Sequence, residues 1–260
     1  SRYHEAHNRL LAVAQAAARQ RAPFRVAAPV ALRATYGLSL QEALPGYSLA
    51  DLIVAETGPV LLYRLGKIHR ALHRLEVPGL PAWDESAFRV GVDRDMAWIG
   101  FIRPDLAEDL AHAKHALDLV QPSSYRTRLA FCHGDFVPSQ LLIDGDKWAV
   151  VDFDLCRQGN PYQELALLIA ALPYDVPALR AAPLVALERL AACYLAGYQE
   201  RADGHLNSHS LLWYRVCAEL YYLSVALKKD WLDLTDFDRA VSRLRGLIVR
   251  LEQVDLCERL

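Results

Sequence analysis

Lysine is scarce in this chain: five of 29 basic residues, at positions 67, 114, 147, 228 and 229. Glycine is absent until Gly37, and the single methionine is Met96 rather than the first residue, which is Ser1. Neither sign of charge dominates, with 29 basic against 31 acidic residues and a net charge of −2. A chain so balanced lacks the electrostatic footprint of a nucleic-acid or anionic-membrane binder. Long apolar runs are missing too. The longest, Leu165 to Leu172, is far short of the roughly 18–20 residues a bilayer span needs. No basic-then-apolar leader opens the sequence, so a cytoplasmic protein is the expectation. The five cysteines (132, 156, 193, 217 and 257) are odd in number and form no C-x-x-C pair. Buried free thiols are therefore expected in place of disulfides or zinc.

What is present is hydrophobic residue: 53% of 260 positions, enough to bury a large core. That size allows one large domain, or one with a fragment of another. A helical pattern runs from Tyr3 to about Arg19, with apolar positions at Leu10, Leu11, Val13 and Ala14. Pro23 and Pro29 exclude helix, and β-prone segments follow at Phe24–Val30 and Gly37–Ala43. The breaker cluster Leu44-Pro45-Gly46-Tyr47-Ser48 reads as a turn or hinge. Beyond it helix dominates. Thr57-Gly58-Pro59 opens one with the stripe Leu61, Leu62, Leu65, Ile68, Leu72 and Leu75, closed by Pro78-Gly79. Residues 80–103 read as irregular. Pro104-Asp105 opens another helix to about Val120, stopped by Gln121-Pro122, and three more patterns cover roughly 177–200, 209–229 and 235–254.

One compact β-rich piece interrupts the helices: Leu129–Cys132, Gln140–Ile143 and Trp148–Phe153, the last two joined by a turn at Asp144-Gly145. His133-Gly134-Asp135 lies before this hairpin and Asp152-Phe153-Asp154 after it. Taken singly, these have plain readings: an aspartate beside glycine is a turn residue, and His133 is a structural hydrogen-bonder. Taken jointly, a hairpin folds its two ends together and brings Asp135, Gln140, Asp152 and Asp154 toward one point. Carboxylates with an amide oxygen make a hard-oxygen site, suited to Mg²⁺ and poor for zinc. His69 and His73 share a helix face, yet Leu72 shares that stripe, and core packing is the simpler reading. Trp213, Tyr214, Tyr221 and Tyr222 on a late helix read as core or as pocket walls.

The run FCHGDFVPSQLLIDGDKWAVVDFDLCRQGNPYQELA, Phe131 to Ala166, resembles the aminoglycoside phosphotransferase and choline kinase family. The shared signature is HGD, an amide five positions on, a hairpin, D-F-[DE], G-[DN]-P and [DE]-L-A. His73 looks like the histidine ending that family's first large helix, and Leu40 to Gly46 like the strand and hinge between its lobes. The resemblance implies an α+β, protein-kinase-like fold: residues 1–46 as a remnant of the small lobe, and 47–260 as a mainly helical lobe with a small catalytic hairpin. It implies an ATP-dependent phosphotransferase with Mg²⁺, acting on a small-molecule hydroxyl. By position, Asp135 would orient the acceptor hydroxyl and take its proton. Asp152, Gln140 (where the family has Asn) and Asp154 would hold metal, and the backbone of Glu42, Ala43 and Leu44 would meet the adenine. His133, Glu164 (where Asp is usual) and Glu5 would support the site.

Two departures stand out. The family's small lobe carries a glycine-containing phosphate loop and a lysine that pairs with the acid at Glu5. No glycine precedes Gly37 here and no lysine precedes Lys67. Activity is therefore expected to need residues upstream of Ser1. The alternatives are a catalytically inactive kinase-like binding module, and a metal-dependent phosphohydrolase using His133, Asp135, Asp152 and Asp154 directly. The acceptor is not legible from the late helices.

Overall fold

A computed structural model describes residues 2–119, 128–200, 206–229 and 233–258. The helix stops expected at Val120 and Gln121-Pro122 lie outside these residues, as does His205. The chain opens with α1 (Arg2–Arg19), which buries Leu10, Val13, Ala16 and Ala17. A short strand β1 (Arg25–Val26) and an antiparallel hairpin, β2 (Pro29–Arg33) with β3 (Leu38–Gln41), follow. Val30, Leu38 and Leu40 on that hairpin are 67%, 54% and 53% exposed.

The central hairpin is β6 (Leu141–Asp144) with β7 (Lys147–Val150), and the chain's early segments flank it. The sheet order is β1-β7-β6-β4, where β4 is Tyr47–Ser48 and β1 runs parallel to β7. The register pairs Asp144 with Lys147, so Gly145 and Asp146 form the turn rather than Asp144-Gly145. Gly145 alone there has positive φ, 59°, the requirement at the first central position of a type II′ turn. A second small pair, β5 (Ala130–Cys132) with β8 (Arg157–Gly159), sets Cys132 opposite Arg157.

The helices are α2 (Leu49–Leu52), α3 (Gly58–His73), α4 (Glu85–Ile102), α5 (Ala107–Leu119), α6 (Pro161–Asp175), α7 (Leu184–Gln199), α8 (Ser208–Lys229) and α9 (Leu234–Glu258). Three differ from expectation: α4, α6 and α7. Residues 80–103 are mostly helix: the Asp84 side chain accepts from the Ala87 amide at 3.1 Å and caps α4. Gly91 and Gly100 dilute the pattern, but Phe88, Val92, Met96 and Ile99 recur at helical spacing toward the core. The run Leu165–Leu172 is the centre of α6, capped by Asn160 with Pro161 in its first turn. It is apolar all round because α8 and other elements enclose it; each fully buried leucine there contributes roughly 1.5–3 kcal/mol. The helix expected from 177 starts at Leu184, after Pro183.

Helices α3 and α7 cross at backbone contact. A Cβ on Gly66 would strike the Tyr194 carbonyl, and one on Gly197 the Tyr63 carbonyl. Only glycine permits that approach, which sets the Tyr194 and Tyr198 hydroxyls against the histidines of α3. Cys132, Cys156, Cys193 and Cys217 are free thiols. No helix among the described residues is long and apolar enough to cross a membrane.

Candidate active site

The loop between β5 and β6 carries His133, Gly134, Asp135 and Gln140. Gly134 sits at φ +90°, and a Cβ there would collide with the Leu155 backbone, so the turn that exposes Asp135 requires glycine. His133 is fully buried and both ring nitrogens are used. Nε2 donates to the Val151 carbonyl at 2.8 Å, and Nδ1 accepts from the Asp135 amide at 3.3 Å. That removes His133 as a metal ligand, which the phosphohydrolase reading needed.

Glu164, in the first turn of α6, fastens this loop. Its Oε1 accepts from the Gly134 amide at 2.6 Å and its Oε2 from the His133 amide at 3.1 Å. The same Oε2 accepts from Nε2 of both His69 and His73, each at 3.0 Å. Those rings in turn accept at Nδ1 from the Tyr194 hydroxyl at 2.5 Å and the Tyr198 hydroxyl at 2.7 Å. Burial opposes the Glu164 charge, but the two histidine hydrogen bonds outweigh it and hold the carboxyl well below its ordinary range. Burial, aided by neighbouring His73, lowers His69 to about 3, so its imidazole stays neutral. His69, His73 and Glu164 are the one group among the described residues spaced to hold a metal ion. Every nitrogen in it already has a protein partner, so the cluster braces the loop.

Across the hairpin, Asp152 occupies the left-handed region at φ 64°. That costs roughly 1 kcal/mol for a residue with a Cβ, and such strain concentrates at functional positions. The Gln140 carbonyl accepts from the Val151 amide at 3.0 Å, tying the two ends of the hairpin together. As a result the Gln140 amide lies 3.5 Å from Asp152 Oδ2, at the outer limit of a hydrogen bond. Asp135 and Gln140 line one cavity of about 420 Å³ together with Asp175. Burial, and the proximity of Asp135, push the Asp175 carboxyl above its usual range despite two hydrogen bonds from Ser139. Asp135 also lines a neighbouring cavity of about 230 Å³ walled by Tyr214, Tyr221 and Tyr222. Trp213 is core instead, its indole N–H donating to the Leu117 carbonyl at 3.0 Å.

A family model described as "Phosphotransferase enzyme family" matches residues 1–203 of this sequence. The chain belongs to that family. The phosphotransferase is similar in fold to a thermostable mutant of aminoglycoside phosphotransferase APH(4)-Ia in its apo form, with TM-score 0.63 and 17% identity over 93% of this chain and 83% of that one. A choline/ethanolamine kinase family protein from Mesorhizobium loti superposes with TM-score 0.57 and 17% identity, over 93% and 78% of the two chains. Plasmodium vivax ethanolamine kinase gives 0.56 at 12% identity, over 93% and 71%. The fold is thus α+β and protein-kinase-like. A comparison with curated proteins finds no match.

The remaining residues that the sequence singles out fall into two groups. In the β3–β4 connection, the Glu42 amide already donates to Ala28 at 2.8 Å, and its carboxylate accepts from Arg25 at 2.6 Å. Ala43 and Leu44 continue that segment toward β4. Glu5, on α1, is 68% exposed at its side chain and meets Arg9 at 3.9 Å. Arg9 also donates to the Asp154 carbonyl at 2.5 Å, which fastens α1 to the segment following Asp152. Sequence reasoning missed Arg9; its signal was the i,i+4 spacing from Glu5. The Asp154 carboxylate is exposed and makes no hydrogen bond or ion pair among the described residues.

Proposed function

We propose that this phosphotransferase moves the terminal phosphate of ATP to a hydroxyl group of a small molecule. The observation that carries the reading is the meeting of Gln140 with Asp152 beside a cavity that Asp135 shares with Gln140. Asp135 holds the acceptor hydroxyl and takes its proton as the new P–O bond forms and the bond to the leaving ADP breaks. With a loose transition state, positioning counts for more than basicity. Fastening of the loop by Glu164 then serves catalysis by fixing where Asp135 points. Asp152 and Gln140 offer hard oxygen donors of the kind Mg²⁺ takes, and Asp154, two positions on in the sequence, is assigned to the same ion. Bound there, the ion would offset phosphate charge. A fold relative gives support: a thermostable APH(4)-Ia mutant was solved as a ternary complex with AMP-PNP and hygromycin B.

The division into a small lobe through residue 46 and a helical lobe from 47 belongs to the same proposal, as does an adenine contact along Glu42 to Leu44. On the far side of the nucleotide a cation is needed, and Arg9 is already engaged by Glu5 and the Asp154 carbonyl. The exposed apolar residues Val30, Leu38 and Leu40 offer a face on which further strands, with a lysine, would pack. Without them the chain is expected to bind ATP weakly. The same observations favour a second reading, a kinase-like module that binds ligand without transfer.

ATP-dependent phosphorylation across a panel of hydroxyl acceptors tests this, in forms with and without residues upstream of Ser1. Asp135→Asn should lower turnover roughly 10²-fold or more while nucleotide affinity stays within about threefold. Nucleotide affinity lost equally in Asp135→Asn and Asp152→Asn would contradict the assigned roles. An absence of transfer in every form would favour the binding module.

A further inference from the structure

The smaller cavity beside Asp135 is mostly apolar, with Phe88, Val92, Tyr214, Tyr221 and Tyr222 in its wall. Three charged side chains besides Asp135 reach it: Arg94, Asp95 and Arg157. Aromatic walls beside an acid would suit an organic cation, but of the two acids here Asp135 faces the acceptor hydroxyl and Asp95 is already engaged. Asp95 is buried, and its Oδ1 accepts from the Lys228 ammonium at 3.1 Å and the Ser224 hydroxyl at 2.7 Å. The pair is neutral.

Arg157 is different. It forms no ion pair with a carboxylate among the described residues, and its protein contact is a long one, Nη2 to the Gln163 amide oxygen at 3.4 Å. Its Nε is buried without any hydrogen-bond partner. Buried donors, above all charged ones, are rarely left unpaired in native proteins. The backbone holds this one in place. The β5–β8 register puts Arg157 opposite Cys132, three residues before Asp135. The Arg157 guanidinium on β8 and the Asp135 carboxylate in the loop after β5 thus border one cavity. Arg94, on the exposed rim, adds to the positive side.

We infer that the acceptor is a compact hydroxy acid. Its hydroxyl lies at Asp135, its apolar or aromatic body against the tyrosines and Phe88, and its carboxylate on Arg157, whose planar fork matches a carboxylate. A cavity of about 150 Å³ holds benzene; at about 230 Å³ this one has room for one ring with a short side chain. An amino-sugar polycation or quaternary ammonium compound would instead meet Arg157 and Arg94, with Asp135 as its one unpaired acid among the described residues of this cavity, Asp95 being already neutralised. The inference rests on the transfer reading only for the role of the hydroxyl. The anion contact stands on the cavity alone.

Calorimetry with 3-phenyllactate, its primary amide and the cationic 2-amino-3-phenylpropan-1-ol tests the idea on wild type, Arg157→Gln and Arg157→Lys, with thermal melts as a folding control. The acid should bind wild type at least about tenfold more tightly than either analogue, the discrimination expected of a charge-assisted contact. Arg157→Gln should erase that preference and Arg157→Lys retain part of it. Equal binding of acid and amide to wild type, tighter binding of the amine, or no binding of the acid up to about 10 mM would overturn the inference. A preference surviving in folded Arg157→Gln would do so as well. The wild-type comparison decides even where a variant fails to fold. Phosphate transfer is scored separately: acid preference without transfer sinks the proposed activity and spares the anion contact, and transfer without acid preference does the reverse.

Discussion

Replacing Glu164 by glutamine is a near-isosteric change that should damage the molecule badly. The carboxylate accepts four hydrogen bonds: from the Gly134 amide at 2.6 Å, the His133 amide at 3.1 Å, and the His69 and His73 rings at 3.0 Å each. A glutamine keeps one oxygen and puts an NH₂ where the other was. Either orientation aims that NH₂ at a buried donor, Gly134 on one side or three donors on the other. Hydrogen bonds to charged groups contribute about 1.5–3 kcal/mol each, and removing one partner of a buried charged network costs about 3–5 kcal/mol. We expect a loss in that range. For a chain of this size it corresponds to a fall in melting temperature of roughly 6–20 °C. Urea unfolding followed by tryptophan fluorescence, with circular dichroism melts alongside, gives the number. A Glu164→Gln protein within about 1 kcal/mol of wild type, with an unchanged urea slope, would refute the claim that this residue fastens the loop.

Stability should fall on mild acidification. His69 titrates near 3 when folded against an ordinary 6.5, so between those values the unfolded chain binds a proton that the folded chain refuses. The contribution is full above pH 6.5 and is lost progressively as pH drops toward 3; at pH 5 about 2 kcal/mol should be gone. Glu164, held below its usual range, adds in the same direction at lower pH. A urea midpoint unchanged between pH 7.5 and 5 would contradict this. Gly66→Ala should cost about 1–3 kcal/mol or more in the same unfolding assay, because the new Cβ meets the Tyr194 backbone, which cannot turn aside. A neutral result would mean that the α3–α7 crossing slides apart without penalty.

Much of the site was legible because its parts are local. His133, Gly134, Asp135, Gln140, Asp152 and Glu164 lie within 32 residues, and a hairpin with short loops leaves few ways to arrange them. The partners that complete the network come from far along the chain, which explains why they were missed. His69 and His73 read as a helix face without an acid, since the acid, Glu164, is 91 residues beyond His73. The tyrosines behind them arrive on α7 through a glycine crossing that no periodicity announces. Arg9 meets the Asp154 carbonyl across 145 residues. Helix α4 was hidden by Gly91 and Gly100, where tertiary packing overrides propensity. The wall aromatics Tyr214, Tyr221 and Tyr222 could not be told from core by spacing, because α8 is buried on most of its circumference.

The central claim is that the hairpin joining Gln140 to Asp152 is a phosphoryl-transfer site, and its most direct test is a Mn²⁺ titration followed by water-proton relaxation, with and without ATP. At ATP concentrations that saturate the protein, wild type should bind Mn²⁺ appreciably only when ATP is present, and Asp152→Asn should lose that nucleotide-dependent binding by at least about tenfold. Mn²⁺ binding indifferent to ATP, or unchanged in Asp152→Asn, would contradict the account.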